Sequence, residues 1–235
     1  MTPKDFRIAD ELKTNEFRVS IFGSARIQPE DPTYQDTYNL AKTIGGLGID
    51  LITGGGPGLM EAASLGHTAG DTKNKAHSIG LNIVLPFEQK PNEGLEFLDN
   101  HEVFSTRLDE FMLLSNAVVV MPGGIGTCLE LFYTWQLLQV KHVCGMPVIV
   151  VGKMWRKLIE WVIDYPVHSK LMDPKDLHFI AVVDNWKQAV KVIKKAKKHF
   201  DETGGKECHN WLEYGKKVRK MTPYLNSETG KPLGL

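Results

Sequence analysis

Cysteine is scarce in this 235-residue chain, and neither sign of charge predominates. Cys128, Cys144 and Cys208 stand alone, with no CxxC among them, and an odd number argues against a disulfide framework. That usage fits a reducing cytoplasm best. Lys plus Arg number 28, as do Asp plus Glu, so the formal net charge is zero. No global field therefore recruits nucleic acid or an acidic membrane, and a small anion has to be held by a local device. No segment approaches the ~20 apolar residues of a membrane span. The opening stretch, MTPKDFRIADELKTNEF, alternates charged and apolar residues and lacks the apolar core of a signal peptide. The histidines at 67, 77, 101, 142, 168, 178, 199 and 209 show no HxxxH or HExxH spacing, so neither a catalytic metal nor another cofactor is expected.

What is present is a regular alternation of strand-like and helix-like segments. The hydrophobic share of 42% suits a globular protein with a sizeable core. Residues 17–23, 49–53, 77–86, 117–121, 147–152 and 178–184 read as strands, and HEVFST at 101–106 as a short one. Between them, 34–47, 107–116, 128–139, 155–164 and 186–200 read as helices, with another after the glycines at 54–58. The strands are continuous apolar runs, which implies cover on both faces and hence a parallel sheet with right-handed crossovers. The expected fold class is α/β: a Rossmann-like, doubly wound parallel sheet in three α/β/α layers. The expected organisation is an N-terminal arm at 1–16, a nucleotide-binding domain at 17–200 and a polar, turn-rich tail at 201–235.

Two strand ends carry unusual glycine density. ITGGGPGLM supplies Gly54, Gly55, Gly56 and Gly58, and MPGGIGT supplies Gly123, Gly124 and Gly126. Each run leads directly into a helix. Glycine lets backbone approach a ligand closely, and the free N–H groups and dipole of the following helix attract an anion. Tight turns alone also need glycine, yet two such loops at strand ends point to a phosphate cradle. Neither is a GxxxxGK[ST] loop, nor a GxGxxG with its later acidic residue, which disfavours an ATPase or a dinucleotide dehydrogenase. A third, weaker signal is FGSAR, in which Gly23 and Ser24 either line the same crevice or cap a turn.

Two charged residues adjoin these loops. Thr127 and Glu130 form T-x-x-E, which is either a capping box or a hydroxyl and carboxylate over the anion-binding end of one helix. Arg107 lies between HEVFST and the next helix, at the carboxyl edge of the sheet. It is suited to bind phosphate or stabilise a leaving group, or else pairs at the surface with Asp109 or Glu110. The apolar helix 128–139 is expected to be buried or to lie at a subunit interface.

Taken together, these motifs resemble the LONELY GUY family, also labelled "possible lysine decarboxylase". Its mark PGGxGTxxE is matched completely by Pro122 to Glu130, and its GGGPGxM by Gly54 to Met60. FGSAR and GLNIVLPFEQKPN also look like the longer bacterial branch, and the resemblance covers roughly residues 17–200. It implies a homodimer or larger assembly. It also implies hydrolysis of the N-glycosidic bond of a nucleoside 5′-monophosphate, such as AMP or a cytokinin ribotide, to base and ribose 5-phosphate. On that resemblance, Arg107 and Glu130 form the catalytic pair. One departure is Leu108, where the family usually has lysine after the arginine. Alternatives are a module that binds nucleotides without turning them over and, more remotely, an enzyme cleaving a nucleotide sugar or NAD. No pyridoxal-phosphate lysine site supports a decarboxylase.

Overall fold

A computed structural model describes residues 3–84 and 90–205, apart from Arg7 and Leu12. Its centre is one eight-stranded sheet in the order β1-β5-β4-β3-β2-β6-β7-β8, with every pairing parallel. The strands are β1 (Lys4–Asp5), β2 (Arg18–Phe22), β3 (Asp50–Thr53), β4 (Ser78–Ile83), β5 (Phe97–His101), β6 (Ala117–Val120), β7 (Val148–Val151) and β8 (Ile180–Val183). The helices are α1 (Ile8–Glu11), α2 (Pro32–Gly46), α3 (Leu59–Gly70), α4 (Phe104–Leu114), α5 (Ile125–Gln139), α6 (Lys153–Val162) and α7 (Trp186–Thr203). This is the doubly wound α/β architecture that the apolar runs predicted.

Burial explains why those runs carried no polar alternation. All residues of β2, β3, β4, β6, β7 and β8 are buried. Val118, Val119 and Val120 are completely enclosed, each such side chain contributing about 1.5–3 kcal/mol of transfer free energy. α2 packs on α3 and α7, while α4 packs on α5 across the sheet's other face. The α2–α3 approach is so close that a Cβ on Gly66 would stand 2.2 Å from the carbonyl oxygen of Tyr38. Asp31 caps α2, with Pro32 at its first position, and Asn185 caps α7 by accepting from the Gln188 N–H.

Several local readings need correction. HEVFST is not a strand: β5 lies earlier, at Phe97–His101, and α4 starts at Phe104. β5 is held by its register on β4, which ends at Ile83↔His101, and the segment then turns into a helix whose apolar side faces inward. α5 starts at Ile125 rather than 128, so Gly126 and Thr127 are its first-turn residues. α6 continues into a π-helical turn at Ile163–Val167, and β8 is preceded by a 3-10 turn at Pro174–Phe179. β1 pairs with β5, so the N-terminal stretch extends the sheet by one edge strand. α7 runs on to Thr203, with Gly204 as its left-handed C-cap; residues 206–235 of the expected tail, and residues 85–89 of GLNIVLPFEQKPN, lie outside the described residues. Cys128 is a free thiol, whereas Cys144 is disulfide-bonded, against the reading of three isolated cysteines.

Candidate functional site

The strand order reverses between β2 and β6, and the crevice beyond their carboxyl ends is where ligands bind in such sheets. Three loops meet there. Ser24, just after β2, donates its N–H to Pro122 O (3.1 Å) and accepts at its carbonyl from Leu59 N–H (2.9 Å). FGSAR is thus a staple that ties the β2 loop to both glycine loops. Gly23 is pressed against Leu59, where a Cβ would come within 2.9 Å of Leu59 Cδ1.

The first glycine loop, 54–58, has φ of +71° at Gly55 and +69° at Gly58, a region costly for other residues. Asn92 anchors it, its N–H bonding Gly55 O and its Nδ2 bonding Gly56 O, both at 3.0 Å. Asn92 carried no signal beyond its place in the PN of FEQKPN. In this loop Gly54 lies against α4: a Cβ there would come within 3.8 Å of Arg107 Nη1.

The second loop is built differently. Gly124 is the N-cap of α5 and, lacking a side chain, leaves the first N–H groups of the helix without a side-chain cap. A Cβ at Gly123 would stand 2.1 Å from Thr127 Oγ1, because Thr127 folds back over that turn. At Gly124 and Gly126, by contrast, nothing lies within 4 Å of the added carbon. The open end of α5 is therefore a backbone donor site with space in front of it, the physical requirement for holding an oxyanion.

This geometry removes the capping-box reading of Thr127 and Glu130. The cap is Gly124, Thr127 is the third helical residue, and Glu130 is a full turn further in. Glu130 instead accepts a hydrogen bond from Arg107 Nη2 at 2.9 Å, and both side chains are about nine-tenths buried. Arg107 is correspondingly neither a surface residue nor a linker between strand and helix. It lies in the first turn of α4, its guanidinium over the rings of Phe104 and Phe111 at 5.7 and 5.8 Å. Its sequence neighbours do not pair with it: Asp109 accepts from the Tyr133 hydroxyl, and Glu110 faces His101. Leu108 points into the interior.

Burial dominates the electrostatics. It pushes the Glu130 carboxyl up to about 7, although the adjoining guanidinium pulls the other way. Burial also lowers the Arg107 pKa, opposed by Glu130, yet an arginine remains charged at any ordinary pH. Arg107 Nε is buried without a hydrogen-bond partner. The crevice thus offers one fixed cation, one carboxylate poised near neutrality and a helix N-terminus.

The sequence of residues 60–193 matches the family described as "Possible lysine decarboxylase". The chain belongs to that family. Among curated proteins it is 25% identical, over 193 residues, to the pyrimidine/purine nucleotide 5′-monophosphate nucleosidase of Escherichia coli strain K12. That match covers 75% of this chain but 42% of the relative, so the chain spans less than half the length of the curated proteins it resembles. Among solved structures, the molybdenum cofactor binding protein of Rippkaea orientalis has a TM-score of 0.57 at 18% identity, covering 77% of this chain and 96% of that one. The molybdenum cofactor carrier protein of Chlamydomonas reinhardtii has a TM-score of 0.56 at 21% identity, covering 78% and 99%. At those identities the likeness establishes the shared Rossmann-like fold.

Proposed function

We propose that this family member hydrolyses the N-glycosidic bond of a nucleoside 5′-monophosphate, AMP or a cytokinin-like ribotide, releasing the free base and ribose 5-phosphate. The observation that carries the reading is the buried Arg107–Glu130 pair beside the open N-terminus of α5. The similarity to a nucleotide 5′-monophosphate nucleosidase supports the same substrate class.

In this mechanism the backbone N–H groups of the 123–127 loop hold the 5′-phosphate. That remote binding places the ribose over Glu130. Gly23, Ser24 and the 54–58 loop close the crevice from the other side. As the C–N bond breaks, the ribose becomes oxocarbenium-like, as in glycoside hydrolysis. The Glu130 carboxylate stabilises that cation and orients the attacking water. The bond electrons leave with the base, which takes up a proton; the water loses one and supplies the hydroxyl on C1. Arg107 holds Glu130 in place and offers its free Nε–H to the phosphate or the departing base.

A second reading, a nucleotide-binding module without turnover, is favoured by two observations. The buried pair can be satisfied internally, and Leu108 puts a buried apolar side chain where the family usually has a lysine. The assembly we propose is a homodimer. α5 buries one side, yet leaves Ile125, Leu129 and Phe132 exposed along the other, beside the exposed Phe104 of α4. Such a stripe matches a self-complementary contact.

The experiment is incubation with a panel of nucleosides, nucleoside monophosphates and diphosphates, followed by chromatography for free base. Release from monophosphates alone is expected, and Arg107→Ala should raise KM, lower kcat, or do both. Binding of AMP without release of base from any compound would select the binding module instead.

A further inference from the structure

Asp99 and His101 occupy alternate positions of β5, so both side chains leave the same face of the strand. α4 crosses that face and brings Glu110 to them, one helical turn beyond Arg107. His101 Nε2 lies 2.7 Å from Glu110 Oε2 and 3.6 Å from Asp99 Oδ2. One ligand atom from each of the three residues falls within 4.8 Å of the others.

Where the Thr106 hydroxyl gives its single proton to Val103 O at 2.9 Å, it accepts from His101 Nδ1 at 3.1 Å, and Nε2 is then left as a lone pair towards the two carboxylates. Two of the atoms that meet, His101 Nε2 and Glu110 Oε1, are buried with no aligned hydrogen-bond partner, and Glu110 is 6% exposed. In that tautomer three electron-rich groups this close need a proton or a cation among them. Among the described residues, no Lys or Arg forms an ion pair with either carboxylate. The other acidic cluster, Glu11, Glu16 and Asp50, differs in that a cation already lies within it: Arg18 is 2.7 Å from Glu11, 3.7 Å from Glu16 and 3.8 Å from Asp50.

We propose that Asp99, His101 and Glu110 form a binding site for one first-row divalent metal ion of the zinc, cobalt or manganese kind. One imidazole and two carboxylates make a mixed nitrogen–oxygen donor set that suits these ions. Bonds of about 2.0–2.2 Å place neighbouring ligands of one ion roughly 3.0–3.4 Å apart, and the observed 2.7 and 3.6 Å bracket that spacing. The Thr106 hydroxyl behind Nδ1 is the outer-shell acceptor that metal-binding histidines regularly use. A single proton between Glu110 and Asp99 answers both carboxylates but leaves His101 Nε2 unengaged, whereas an ion engages all three groups. Asp99, with its side chain 36% exposed, is the open side through which the ion enters and water completes its coordination.

The proposal stands apart from the nucleosidase reading, and its test reads binding itself. The full chain without an affinity tag is stripped with chelator and titrated with Zn2+, Mn2+ or Co2+. Calorimetry and, for Co2+, visible absorption report occupancy. One ion per chain is expected, with a rise in Tm of roughly 5–10 °C at about one hundred times Kd. His101→Ala and the near-isosteric Glu110→Gln should weaken binding at least 100-fold, and Thr106→Val about 10- to 100-fold. Glu130→Gln should bind the ion like the unaltered chain. Circular dichroism confirms that each variant is folded. No saturable binding by the unaltered chain, or equal binding by folded Glu110→Gln and Thr106→Val, overturns the site.

Discussion

Replacing Glu130 by Gln separates chemistry from architecture more cleanly than any other change. The glutamine keeps the shape and still offers a carbonyl oxygen to Arg107 Nη2, so the contact at 2.9 Å survives and only the charge is lost. Burial has already made that charge expensive. Holding the carboxyl's pKa at about 7 rather than 4.5 costs the ionised folded state about 3 kcal/mol. Because the folded value is raised, the protonated form is the one that folding favours. Stability is therefore complete below the unfolded value of 4.5 and declines until the pH passes about 7. The neutral amide of Glu130→Gln escapes that decline. The variant should melt with the unaltered chain near pH 4, and higher than it at pH 8.5, by up to about 3 kcal/mol or several degrees. Base release should meanwhile fall on the order of 100-fold or more, the usual loss when one charge-stabilising contact is removed. The assays are thermal unfolding at the two pH values and chromatography of free base from a nucleoside monophosphate. Turnover within a few-fold of normal would refute the catalytic role. A Tm that drops equally at both pH values would refute the burial argument and restore a structural role for Glu130.

Four further outcomes are expected. kcat/KM should rise with pH along an acidic limb centred near 7, as Glu130 must lose its proton; a flat profile from pH 5.5 to 8, after allowing for the substrate phosphate's own titration, contradicts this. Gly126→Ala meets open space inside α5 and should stabilise the fold by about 0.5–1 kcal/mol while weakening monophosphate binding at least 10-fold; unchanged binding removes the phosphate from this helix end. Gly123→Ala, with its Cβ 2.1 Å from Thr127 Oγ1, should instead lower Tm. The unaltered chain should sediment as a dimer at micromolar concentration, and Leu129→Glu with Phe132→Glu as a folded monomer; a monomeric unaltered chain rejects the α5 interface.

The strands of this protein were legible because they are buried on both faces: AVVV at 117–120 and VIVV at 148–151 admit no other environment. The glycine loops were legible for a related reason. At Gly55 and Gly58 the backbone enters positive φ, and at Gly123 there is no room for a side chain, so few residue types other than glycine fit. Boundaries were less so. Val103 and Phe104 have strand-like side chains, yet the sheet register ends at His101, and packing on the core turned the segment into α4. That shift of a few residues moved Arg107 from the first residue of the expected helix to the fourth of α4.

The sequence by itself therefore determined the parallel α/β sheet, the two glycine-lined turns at its carboxyl edge and the residue types held there, because those depend on local pattern and on backbone sterics. Only the tertiary structure decided what the charged groups do. T-x-x-E reads as a capping box until α5 is seen to begin at Ile125 with Gly124 as its cap. Arg107 has acidic neighbours at 109 and 110, but the packing of α4 on α5 gives it Glu130 and sends Glu110 to His101. Asp99, His101 and Glu110 follow no metal-binding spacing, since a strand and the helix crossing it bring them together. An ion pair or a ligand cluster is a relation across elements, and its partners are set by how helices seat on the sheet, which no local pattern records.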